Sequence, residues 1–199
     1  ALAERMITAQ AGFRTMGHLT CASQSTDELL ATLAAYADAD VRHVLAIRGD
    51  MPGGPTVPWQ RHPDGLANAT ELVRLIADNF GFGIGVAAFP DPHPQQRDAD
   101  LDARLLLAKQ EAGASFAITQ LFWDPDTYLD FVRRARSFGV TIPIVAGLLP
   151  PTDPARLLSP AREGADLWLE ADYHLMTFAP ARLTLRPGDG PPHIRLDRA

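Results

Sequence analysis

"HVLAIRGD", residues 43–50, carries the decision about the fold. Val44, Leu45, Ala46 and Ile47 form a short apolar run, the pattern of a strand covered by helices on its faces. The run then stops at a cation, a glycine and an anion. A buried strand has no need of charges at its end, but a parallel sheet whose strand ends present a ligand face does.

Four further segments resemble this one: "TMGHLTC" (15–21), "FGIGVAAF" (82–89), "FAITQLF" (116–122) and "IPIVAGLL" (142–149). Helical patterns separate them. The first spans about 26–39 and opens with Ser25, Thr26, Asp27 and Glu28 as cap and first-turn acids. The second, about 65–80, repeats Leu66, Ala69, Leu72, Val73 and Ile76 at helical spacing. The third and fourth, about 98–112 and 125–138, end at Gly113 and Gly139. A helix at 1–10 is expected before the first strand. Strands recur about every 30 residues, the size of one βα unit. No G-x-G-x-x-G follows a strand, which disfavours a dinucleotide-binding fold. The expected class is α/β, a (β/α)8 TIM-barrel type, incomplete, with five clear βα units over residues 1–155. Residues 156–199 lose the period; one helix and one or two strands, or partial disorder, are expected there, as a divergent tail left from the last barrel units.

Composition narrows the function. Of 199 residues 46% are hydrophobic, enough for a sizeable core. A net charge of −6 argues against nucleic acid, whose phosphates need a basic face. The single cysteine, Cys21, rules out an internal disulfide, so the chain reads as reduced and cytoplasmic. No apolar stretch is long enough to span a membrane. The chain begins with Ala, so residues upstream are expected.

The strand ends offer His18 and Thr20; Arg48, Gly49 and Asp50; "FPDPHP" with His93; Thr119 and Gln120; and Gly147 and Pro150. Each has a plainer reading. A lone histidine is more often a satisfied or surface residue, and Arg48 and Asp50 could simply pair. The tripeptide RGD is also an adhesion signal, which a cytoplasmic chain does not use. Gln120, placed in an apolar strand, would cost roughly 1–3 kcal/mol without a partner. Pro90, Pro92 and Pro94 stiffen the loop that holds His93. Asp102 and Lys109, seven apart, share a helix face; an exposed ion pair is the ordinary reading. Yet Lys109 is the only lysine in a chain rich in arginine, and a compact ammonium suits a phosphate contact. No C-x-x-C or H-E-x-x-H spacing supports a metal site. No G-x-S-x-G elbow supports a serine hydrolase. No strand carries a lysine for Schiff-base chemistry.

Taken in order, "HLTC" (18–21), "IRGD" (47–50), "AAFPDPHP" (87–94), "AGASFAITQLFWD" (112–124) and "IVAGLLP" (144–150) resemble methylenetetrahydrofolate reductases over about residues 1–155. The resemblance implies a barrel that binds FAD at its strand ends and reduces 5,10-methylenetetrahydrofolate to 5-methyltetrahydrofolate with NAD(P)H, as a homo-oligomer. It also implies roles. Asp50 would lie at the flavin N1/O2 edge and act in catalysis. His18, Arg48, Gly49, Ala69, Phe89, His93, Asp102 and Lys109 would line the FAD. Gln120 would hydrogen-bond the pterin and act with Asp50 in catalysis. Phe89 stands where the family usually has tyrosine, so stacking is kept and a hydroxyl lost. The family's general-acid glutamate belongs to a strand that would precede Ala1, and Glu28 and Glu71 are read as helical and far from the strand ends. Residues 1–199 alone are therefore expected not to reduce folate. The alternative is an inactive barrel remnant that binds flavin or a partner protomer.

Overall fold

A computed structural model describes residues 15–54, 57–90, 98–122, 124–147, 169–173, 181–185 and 194–198. The expected helix at 1–10, His93, Pro92, Pro94 and Pro150 lie outside the described residues. Five strands, β1 (Met16–Thr20), β2 (His43–Ile47), β3 (Gly83–Ala88), β4 (Phe116–Thr119) and β5 (Ile144–Val145), alternate with four helices. These are α1 (Thr26–Asp38), α2 (Ala69–Asn79), α3 (Ala99–Glu111) and α4 (Pro125–Ser137). All neighbouring strands pair parallel, in the spatial order β1-β2-β3-β4-β5. That order settles the class. Crossovers between parallel strands are right-handed, so a sheet that never reverses its order keeps every helix on one side. A doubly wound sheet would reverse. The arrangement is of the (β/α) barrel type, incomplete among the described residues.

Burial separates the two faces. Leu19, Val44, Ala46, Ile84, Val86, Ala88 and Ala117 face the helix layer and are buried. They form one core with Leu29, Leu33 and Tyr36 of α1, Leu72, Val73 and Ile76 of α2, Leu106 of α3, and Phe131 and Ala135 of α4. Burying each such large side chain contributes about 1.5–3 kcal/mol. The opposite phase, His18, Leu45, Ile47, Phe116 and Ile118, retains exposed surface. Gly17 takes part in the packing: a Cβ there would lie 2.6 Å from the Tyr36 ring, whose hydroxyl donates to the His18 carbonyl at 3.1 Å.

The helix signals hold. Ser25 and Glu28 form the reciprocal cap of α1, and Gly113 and Gly139 follow α3 and α4 at φ +117° and +97°. The second helix starts later than its periodicity predicts. Asn68 caps α2, its side chain accepting from the Glu71 N–H at 3.0 Å. Gly65 instead packs so closely on the Gln24 carbonyl that a Cβ would strike it. The fifth strand is shorter than read, with two residues paired to β4.

In the tail the described backbone forms β6 (Leu169–Tyr173), β7 (Ala181–Leu185) and β8 (Ile194–Arg198). They pair antiparallel in the order β6-β7-β8, one strand more than expected and unlike the parallel units before them. No described helix is long and apolar enough to cross a membrane.

Candidate functional site

The site begins with a backbone bolt. Beyond β1 the Cys21 and Ala22 N–H groups donate to the Arg48 carbonyl at 3.1 and 3.0 Å, so the two strand ends are tied together. Gly49 follows at φ +78°, and a Cβ on it would lie 2.7 Å from Thr20 Cβ. Only glycine meets both demands, and the turn sends Asp50 out past the sheet. Gly49→Ala is expected to lower stability by roughly 2 kcal/mol, from left-handed backbone strain plus the Thr20 clash. A urea midpoint within error of the wild type would refute that assignment.

Arg48 and Asp50 do not pair. Asp50 is exposed, and among the described residues it has no hydrogen bond or ion pair. The Arg48 guanidinium instead lies over the Trp59 ring, 4.9 Å from its centroid. A carboxylate without a counter-charge thus stands at the end of β2.

Strand alternation then says which candidates share a face. Register aligns His18 with Leu45, Leu45 with Gly85 and Gly85 with Phe116, all on the face away from the helices. Phe89 and Gln120 continue that phase just beyond β3 and β4, whereas Thr119 is buried in the opposite phase. The ladder runs one step past β4, since the Gln120 N–H donates to the Ala88 carbonyl at 2.7 Å. Gln120 itself is exposed, its Oε1 accepting a long bond from the Leu121 N–H at 3.3 Å. The burial argument for it is therefore corrected: β4 ends at Thr119, so its amide carries no desolvation cost and keeps its NH2 donors available. Gly147, at the end of β5, donates its N–H to Thr119 Oγ1 at 2.8 Å, drawing the fourth and fifth ends together.

Lys109 and Asp102 come from the helix layer. Lys109 is not an exposed surface charge: it is half-buried, and Nζ donates to the Ala87 carbonyl at 2.8 Å. Burial lowers its pKa to about 8, opposed by the Asp102 carboxylate. The two share a face as their spacing implied, but the ammonium secures β3 rather than pointing at water. Ala69 is the first residue of α2, beside the positive end of the helix dipole.

Glu71, read as far from the strand ends, lies in the first turn of α2. Burial raises the pKa of Cys21, the residue after β1; its backbone hydrogen bond and Arg48 lower it, and the Glu71 carboxylate adds a smaller upward contribution. Its Oε2 accepts from the Ala67 N–H at 2.8 Å, a capping duty. Trp59 and the Cys21–Arg48 backbone bolt were not legible as site elements; an aromatic inside the Pro/Gly-rich run 51–65 was the one signal available.

Residues 2–162 match the family profile described as methylenetetrahydrofolate reductase. The 5,10-methylenetetrahydrofolate reductase of Escherichia coli is 38% identical over 139 residues, 70% of this chain and 45% of that protein. A probable methylenetetrahydrofolate reductase (NADPH) of Caenorhabditis elegans is 38% identical over 141 residues, 70% of this chain and 21% of its own length. A probable methylenetetrahydrofolate reductase (NADH) of Oryza sativa is 37% identical over 147 residues, 68% of this chain and 25% of that protein. The match therefore spans less than half the length of these relatives.

Proposed function

From a chain that belongs to the methylenetetrahydrofolate reductase family, we infer a part in the flavin-dependent reduction of 5,10-methylenetetrahydrofolate to 5-methyltetrahydrofolate by NAD(P)H. The observation that carries this reading is the uncompensated carboxylate of Asp50 at the end of β2, beside an exposed Arg48 and above the face shared by His18, Phe89 and Gln120.

These residues fit FAD by their chemistry. A planar ring system with a polar edge and an anionic tail asks for an apolar wall, a directed polar group and cations or N–H donors. Phe89 would supply the wall, Asp50 the directed group, and Arg48 and the start of α2 at Ala69 the positive potential. His18, His93 and Asp102 would complete the lining, with Gly49 allowing close approach and Lys109 holding the β3 end through the Ala87 carbonyl. Bound FAD would take hydride from NAD(P)H and deliver it to the methylene carbon; the overall reaction also takes up one proton and leaves NAD(P)+.

The chain's own groups set the direction. The Asp50 carboxylate disfavours negative charge on its neighbour and favours the cationic iminium form of the folate. The Gln120 amide, with free NH2 donors, would orient the pterin through paired donor and acceptor.

The protein is expected to purify yellow, or to turn yellow on adding FAD, and to release FAD on denaturation. Colourless protein that takes up no FAD would overturn the reading.

A further inference from the structure

We propose that Trp59 is a positioning residue that holds the Arg48 guanidinium ready for an anionic ligand at the strand ends and away from Asp50. The identity of that ligand, the flavin's anionic part, rests on the function proposed above; the positioning does not. Arg48 is exposed, two residues from a carboxylate it could reach, yet its guanidinium carbon sits 4.9 Å from the Trp59 centroid. Its one hydrogen bond is a long Nε–H donation to the Gly49 carbonyl at 3.4 Å, so most of its N–H donors remain free.

The platform is fixed where the arginine is not. Trp59 is half-buried and packs against the hydrophobic core. The connection that carries it, residues 48–68, is long for a βα loop, the kind usually kept for function. It is tied down at its far end. The Thr26 N–H and hydroxyl both donate to the Asp64 carbonyl at 2.9 Å, and Arg61 Nε donates to the Gly65 carbonyl at 2.9 Å. A guanidinium held over an anchored indole keeps its N–H donors available and forfeits less rotamer freedom on binding. Stacking also leaves Asp50 without a counter-ion. Without the ring, Arg48 would be free to fold onto Asp50 and cancel both charges.

The test needs two readouts on the same protein. The Arg48 Nε–Hε resonance should be shifted upfield by the indole in the ligand-free wild type, lose that shift in Trp59→Leu and keep much of it in Trp59→Phe. Titration with FAD should show Trp59→Leu binding about fivefold more weakly, the scale of a partly exposed cation–π contact, and Trp59→Phe within about twofold. In an Arg48→Met background, Trp59→Leu should add nothing. An unshifted Nε–Hε signal overturns the inference, as does an equal loss of FAD affinity with and without Arg48, which would make Trp59 merely structural. A wild type with the shifted signal that binds no FAD would sink the flavin reading and leave the positioning intact.

Discussion

On the function proposed above, and in protein competent for the whole reaction, Asp50→Asn is expected to slow hydride transfer to folate by about a hundredfold, the scale of removing one preorganised electrostatic group from a reaction centre. Reduction by NAD(P)H is expected to suffer far less. The asymmetry follows from charge. A carboxylate with no counter-ion among the described residues opposes the build-up of negative charge beside it, so the proposed flavin, once reduced, would be a stronger hydride donor while Asp50 is ionised. The same charge would favour the folate cation that accepts the hydride. The neutral amide keeps the shape and loses both effects, so the reduction potential rises and the second half-reaction suffers. Stopped-flow measurement of the two half-reactions separates the cases. Equal slowing of both would point to a disturbed β2 end, which the tight Gly49–Thr20 contact makes easy to damage, and would remove the electrostatic role.

What was legible in the sequence is what local chemistry dictates. Strands apolar on both faces, the Ser25–Glu28 cap and the glycines after α3 and α4 each answer to a few adjacent residues, so the order of elements could be read. The ends of the apolar runs also placed His18 and Gln120 at strand ends. The start of α2 was misread because Leu66 continues the apolar phase, while Gly65 answers to the Gln24 carbonyl some forty residues away. Gln120 was misread because β4 ends at Thr119 instead of running on to 122, which converts a costly buried amide into a free one. Lys109 on the Ala87 carbonyl is non-local, and Trp59 under Arg48 joins two positions across an irregular loop. Neither pair repeats with a helix or strand period, so no periodicity could reveal it.

Lys109 yields the other large effect, and its sign is fixed by burial. The ammonium is held at about 8 in the folded chain against an ordinary 10.5, with burial the larger cause and Asp102 opposing. Below about pH 8 both folded and unfolded chains carry the proton, and the fold bears the cost of a buried charge. Between about 8 and 10.5 the folded chain has released it and the unfolded chain has not. The unfolded state then binds more protons, so this residue's contribution to stability rises with pH across that window and levels off above it. The gap corresponds to about 3 kcal/mol at most, reduced by whatever part of the side chain stays in contact with water. The chain favours a clean measurement because Lys109 is its only lysine. Burial raises the Cys21 pKa, an effect of opposite sign, but it is common to wild type and variant and cancels in the difference. Lys109→Met keeps the apolar stem and leaves the Ala87 carbonyl without its donor, costing about 1–3 kcal/mol at every pH. The variant should therefore match the wild type closely near pH 7, where losing the bond and losing the buried charge offset each other. It should fall behind by about 2–3 kcal/mol near pH 10.5, where the wild type no longer bears the charge and its neutral amine still donates to Ala87. Urea unfolding of both proteins at the two pH values reads the difference. A gap that stays constant with pH would mean that the ammonium is solvated in the folded chain and that the Ala87 bond does not confine it.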